Sequence, residues 1–161
     1  MTTVFRDNFP QKIALFFFCS ACFFFLNSAA VADMLSVKGD KINMRTGPGI
    51  QHQVSWEYGA GFPFEVLRKQ GDWLRVKDFE DETGWIHKSL LHKTPQVIVK
   101  ANKDQEKTIN VRSGPGNENP IIAHAYYGVV FSKLAEESDW VKVRHESGLT
   151  GWVKKPLLWG N

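Results

Sequence analysis

The chain has 161 residues, 43% of them hydrophobic and 23% charged, and a formal net charge of +3. That charge is too near neutral for nucleic-acid binding, which calls for a concentrated basic face. The lysines also alternate with acidic stretches, FEDE (79–82) among them, and are interleaved with acids in KDQEK (103–107).

The N-terminal segment reads as an export signal. Arg6 and Lys12 precede the apolar run IALFFFCSACFFFL (13–26), and Ala30-Val31-Ala32 supplies small residues at a cleavage site. The run is shorter than the ~20 residues that span a bilayer, so a cleaved signal peptide (1–32) is the expectation and a retained anchor the alternative. Cys22 lacks the upstream Leu of a lipoprotein signal. Cleavage after Ala32 places the working chain in the periplasm, with 18 basic and 16 acidic side chains and a net charge of +2. Both cysteines fall inside the signal, which excludes a disulfide, a cysteine nucleophile and a thiolate metal site from the exported part.

The remainder is written twice. At an offset of 67, Ile42-Asn43-Met44-Arg45 matches Ile109-Asn110-Val111-Arg112, and Asp72-Trp73-Leu74-Arg75-Val76-Lys77 matches Asp139-Trp140-Val141-Lys142-Val143-Arg144. Gly84-Trp85-Ile86 matches Gly151-Trp152-Val153, and Leu90-Leu91 matches Leu157-Leu158. LSVKGDK (35–41) matches VIVKANK (97–103) at offset 62, so the second copy carries five extra residues around Asp104-Gln105-Glu106, in a surface loop. The expected domains are 33–92 and 97–161, joined by a linker at 93–96 that contains Pro95.

Each copy reads as β throughout, in short Val/Ile/Phe/Trp-rich segments separated by turn residues. Strands are expected near 41–46, 53–57, 64–69, 73–78 and 83–87, with counterparts near 108–113, 121–125, 130–135, 140–145 and 150–154. Five short strands with tight turns suit a small barrel or two-sheet sandwich. The set N-[MV]-R-[ST]-G-P-G, D-W-x-[RK]-V, G-W-[IV] resembles the bacterial SH3-like (SH3b) domain in both copies, and the tandem with LLWG (157–160) resembles secreted SH3-like proteins of proteobacteria. The resemblance implies an all-β fold of two SH3-like barrels. It also implies a cell-envelope role, with peptidoglycan or a protein as ligand.

In NMRTGPG (43–49), Ile42 and Met44 point to the core and Asn43 and Arg45 away from it. Gly47-Pro48-Gly49-Ile50 and Gly114-Pro115-Gly116-Asn117 have type II turn chemistry. A phosphate cradle would need Lys-Ser/Thr opening a helix, which neither copy has. Arg45 and Arg112 are either surface stems laid over aromatic rings or captors of a ligand carboxylate.

Parity in DWLRVK sends Leu74 and Val76 inward and Trp73, Arg75 and Lys77 outward. With Ile86 inward, Trp85 faces out. Each copy thus carries an outer Trp–cation–Trp stripe: Trp73, Arg75, Trp85, and Trp140, Lys142, Trp152. Either the loop after GPG folds over these rings as a minor core, or part of the stripe lines a ligand groove. Trp56 and Tyr58, and Tyr126 and Tyr127, flank that groove as further candidates, and Trp159 is a candidate wedge between the copies.

No catalytic signature appears. His52, His87, His92, His124 and His145 show no metal-ligand spacing, and HExxH and GxSxG are absent. The expected protein is non-catalytic, with no cofactor, metal, nucleic acid or membrane contact beyond the signal. It binds peptidoglycan or its peptide stem, or alternatively docks a periplasmic partner protein through its Trp-rich faces.

Overall fold

The computed structural model describes residues 33–103 and 106–160. The export signal expected at 1–32 lies outside them. Copy one contains β1 (Met34–Val37), β2 (Lys41–Arg45), β3 (Val54–Gly59), β4 (Pro63–Gln70), β5 (Trp73–Lys77), β6 (Thr83–His87), a 3-10 turn (Lys88–Leu90) and β7 (Leu91–His92). Copy two repeats the series with β8 (Gln96–Val99), β9 (Ile109–Arg112), β10 (Ile121–Ala125), β11 (Val130–Glu137), β12 (Trp140–Arg144), β13 (Thr150–Lys154), a 3-10 turn (Lys155–Leu157) and β14 (Leu158–Gly160). The protein is all-β, with one antiparallel seven-stranded sheet per copy, in the orders β3-β2-β6-β5-β4-β1-β7 and β10-β9-β13-β12-β11-β8-β14.

Each sheet curls because its longest strand is bulged. The β4–β5 register slips between Val66 and Arg68, and the β11–β12 register between Lys133 and Ala135. An extra residue on one strand bends it and sharpens the twist. The curl closes the inner face on Val37, Ile42, Met44, Tyr58, Phe64, Val76 and Ile86 in copy one. In copy two the core is Val97, Val99, Ile109, Val111, Phe131, Val143 and Val153. Parity in β2, β5, β9 and β12 is as the alternation predicts.

The glycine of the Gly-Trp motif is there for space. A Cβ on Gly151 would stand 2.5 Å from Val111 Cγ1 and 2.9 Å from the Arg112 carbonyl, so β13 can lie against β9 only without one.

Two sequence readings need correction. Strands β1, β7, β8 and β14 were absent from the expected set. They are two to four residues long, and their partners are remote in sequence: β1 pairs with β4 and β7, and β8 with β11 and β14. The GPG segment is not a type II turn. Gly49 N–H donates to the Gly47 carbonyl (3.0 Å), a three-residue turn about Pro48, and His52 N–H then donates to the Gly49 carbonyl (3.2 Å). Gly49 and Gly116 have φ of 158° and 159°, close to extended rather than the value near +80° that a type II turn requires.

The copies meet in a small contact. The Phe79 ring packs on Tyr127 with centroids 5.1 Å apart. Glu80 accepts from the Tyr127 hydroxyl and pairs with Lys103 at 2.8 Å. Those donors hold the Glu80 carboxyl below its usual range, the Lys103 bond first and the Tyr127 bond second. Ile98 faces away from the copy-two core yet is fully buried, on the strand that comes against β4.

Candidate functional site

The same groove is built in both copies. In copy one it is a cavity of about 390 Å3 lined by Lys41, Ile42, Asn43, Arg45, Ile50, Glu57, Trp73, His87 and Leu90. In copy two it is a cavity of about 290 Å3 lined by Ile109, Asn110, Arg112, Asn117, Trp140, Lys154 and Leu157, with Asn102 and Thr108. Eight of these positions correspond at the offset of 67.

Local structure explains why these side chains converge. Asn43 and Arg45 share the outer face of β2, opposite the buried Ile42 and Met44. Trp73 pairs with His87 across β5 and β6, on that same face. The 3-10 turn at the end of β6 brings Leu90 back, and the loop after GPG delivers Ile50. That loop is fixed by Arg45, whose Nη1 donates to the carbonyls of Ile50 (3.1 Å) and His52 (2.8 Å). Arg112 does the same in copy two, donating to the Asn119 carbonyl at 2.7 Å. The arginines are therefore clamps on the groove wall. A guanidinium carries five N–H donors, so the clamp leaves several for a ligand.

The tryptophan stripes are only partly a groove. Trp73 and Trp140 line it and are half-buried. The His87 ring meets Trp73 edge-on with centroids 5.4 Å apart, and Lys154 Nζ lies 5.6 Å from the Trp140 ring centroid. Trp85 faces outward as parity requires but is 6% exposed, with Arg68 stacked 4.9 Å from its ring. It offers no face to a ligand. The covering cation was expected to be Arg75; Arg68 reaches it because β4 lies beside β5 in the sheet. Trp152 stays half-buried, with Lys142 5.9 Å above it.

The flanking aromatics divide four ways. Tyr58 is a core residue, and the expectation of a ligand contact is corrected: its hydroxyl donates to Asp78 Oδ2 at 2.8 Å and its ring packs on Phe62 and Phe64. Tyr127 belongs to the contact between the copies. Trp56 and Tyr126 are exposed and outside both grooves. Trp159 lies in β14, half-buried.

Sequence reading missed Asn43, Asn110, His87, Lys154, Leu90 and Leu157 as lining residues. The parity that placed Arg45 outward also placed Asn43 there, and His87 shares the face of Trp85, so that signal was present. The amide side chains of Asn43 and Asn110 have no hydrogen-bond partner among the described residues.

A small all-β unit written twice, presenting a shallow mixed polar and aromatic groove in each copy, defines a binding module. The bacterial SH3 domain profile matches residues 38–93 and 105–160, and the chain belongs to that family. Bacillus subtilis (strain 168) YrvJ, a proposed N-acetylmuramoyl-L-alanine amidase, is 28% identical over 153 residues; the match covers 91% of this chain and 29% of that protein. The chain thus spans under a third of this relative. Among solved structures, a Bacillus cereus ATCC 10987 NlpC/P60 family protein is 14% identical with a TM-score of 0.36, covering 80% of this chain and 56% of that one. Endolysin LysPBC5 CBD is 14% identical with a TM-score of 0.34, covering 80% and 92%.

Proposed function

We propose that this is an exported, non-catalytic cell-envelope binding protein whose two grooves hold peptidoglycan through its peptide stem. One observation carries the reading: the groove, and not merely the barrel, is duplicated, with a tryptophan wall, an amide with no partner among the described residues, an arginine and a leucine at matching places. Indole suits an extended chain or a sugar face, the amide suits peptide groups, and the guanidinium suits a carboxylate. The copy-two groove adds Lys154 and has no acidic lining residue, which favours an anionic ligand. Family membership and the similarity to YrvJ add support, since the name of that relative places its substrate in the cell wall. The leader-like segment before Asp33 supports export to the periplasm.

Retention of the folded protein on purified sacculi tests this. Trp73→Ala and Trp140→Ala should each weaken retention, and the double substitution should abolish it while the fold stays intact. No retention of a folded protein sinks the proposal. A second reading, an adaptor for a periplasmic protein, is favoured by Trp56, 52% exposed beside Val54 on the edge strand β3. It predicts that Trp56→Ala abolishes cross-linking to an envelope protein and leaves sacculus retention unchanged.

A further inference from the structure

Copy two keeps the frame of copy one and omits part of its filling. In copy one the end of the barrel is closed by its own aromatics. Tyr58 packs on Phe62 and Phe64 with centroids 4.5 Å and 4.8 Å away, and Phe79 lies 5.8 Å from Phe62. Asp78, 4% exposed, holds the phenol through Oδ2 and accepts the Glu80 and Glu82 backbone N–H groups through Oδ1 at 2.9 Å each.

At the matching positions copy two has Ala125 for Tyr58, Val129 for Phe62, Glu146 for Phe79 and His145 for Asp78; only Phe131, for Phe64, is kept. The strand register is unchanged, since Tyr58 pairs with Ile42 and Ala125 with Ile109. The space left is a cavity of about 190 Å3, lined by Ala125, Val129, Phe131 and Leu149, with Tyr126 and His145 also at its wall. A dry apolar cavity of about 150 Å3 is large enough for a benzene ring. Tyr126, at the cavity wall, is 54% exposed.

His145 takes over part of the role of Asp78. Its Nδ1 accepts the Ser147 backbone N–H at 3.3 Å and bonds the Ser147 hydroxyl at 2.9 Å, as Asp78 Oδ1 accepts from the residue two places on. Nδ1 being the acceptor, the ring proton of the neutral imidazole sits on Nε2, the atom that corresponds to Asp78 Oδ2.

We propose that this cavity takes an aromatic side chain of a partner polypeptide, tyrosine first. The guest ring lies where copy one places Tyr58, and its hydroxyl oxygen accepts from His145 Nε2–H. Copy one is the internal template for the fit. This goes beyond the groove reading and does not rest on it, for Arg112, Trp140 and Lys154 line the groove and not this cavity.

The test is an amide NMR titration of the protein with p-cresol and, separately, with N-acetyl-L-tyrosinamide. Both should give saturable shifts confined to residues 123–131 and 145–149, with copy one silent. The double substitution Ala125→Tyr/His145→Asp rebuilds the filling of copy one, and Val129→Phe fills the cavity by a different route. Each should weaken both probes by at least about tenfold, and Val129→Phe decides the matter if the double variant does not fold. Sacculus retention should be unchanged in the filled variants. Absence of saturable shifts, equal shifts in copy one, undiminished binding in a folded filled variant, or binding of p-cresol without N-acetyl-L-tyrosinamide would each overturn the proposal.

Discussion

Copy one and copy two are built on one register, yet they are sealed differently. Copy one closes its barrel end with Tyr58, Phe62 and Phe79 around a buried Asp78, and it covers Trp85 with Arg68. Copy two has Ala125, Val129, Glu146 and His145 there, and Ala135 in place of Arg68. The backbone pairs that set register are common to both, whereas the side chains that fill an end or cap a ring are not. In a duplicated protein, identity of fold therefore leaves room for a difference in what each copy exposes.

The sharpest way to break this comparison is to remove the one core ring that both copies share. Phe64→Ala should cost about 3–5 kcal/mol, because Phe64 is fully buried between Tyr58 and Phe62. Phe131→Ala should cost less, since Phe131 already borders a cavity. Chemical denaturation measures both, and equal losses would show that the copies are packed alike.

Tyr58→Phe is smaller and isolates the hydrogen bond. It leaves Asp78 Oδ2 without its donor in a buried place, at a cost of about 1–3 kcal/mol. Burial first, and the hydrogen bond to Asp78 second, raise the Tyr58 phenol well above its ordinary 10.0. A phenol held high stabilises the fold fully below about pH 10, and that contribution is lost as pH rises beyond it. Alkali should thus destabilise copy one, followed by resolved amide signals, and Tyr58→Phe should reduce that sensitivity to the part that remains from Tyr127, whose phenol is raised by burial first and by the Glu80 hydrogen bond second.

The β4–β5 and β11–β12 turns compare a glycine with its replacement. Gly71 has φ of 59°, and Ser138, at the corresponding place, has φ of 50°. A side chain in the left-handed region costs about 1–2 kcal/mol. Ser138→Gly should raise stability by up to about 1 kcal/mol and Gly71→Ser should lower it by a similar amount, read by thermal melting.

The smallest effect lies at the surface of copy two. Lys133 and Lys155 hold Glu136 down to about 2. A carboxyl held low stabilises the fold above the ordinary carboxylate range, and its contribution fades as pH falls toward about 2. Glu136→Gln should flatten that part of the acid profile with no change at pH 7 in the spectrum of the folded protein.

Much of this was legible in the sequence because period-2 alternation and a repeat are local signals. They placed β2, β5, β6 and their counterparts and turned Trp73, Arg45 and Asn43 to one face. What escaped was set by distance in the chain. Burial of Trp85 depends on Arg68, from a strand whose bulge no pattern announces. Tyr58 reads as a surface aromatic until Asp78, twenty residues on, is brought beneath it. The strands β1 and β8 are too short to declare themselves without their partners.

The clasp between the copies has a consequence for avidity. Phe79 stacks on Tyr127, while Lys103 and the Tyr127 hydroxyl converge on one carboxylate, Glu80. For any ligand that repeats along a polymer, the second groove engages at an effective concentration set by how stiffly the first is tied to it. Glu80 is the adjustable part of that tether. Once acid protonates it, Lys103 loses its ion-pair partner, and the Phe79–Tyr127 stack is left to carry the clasp.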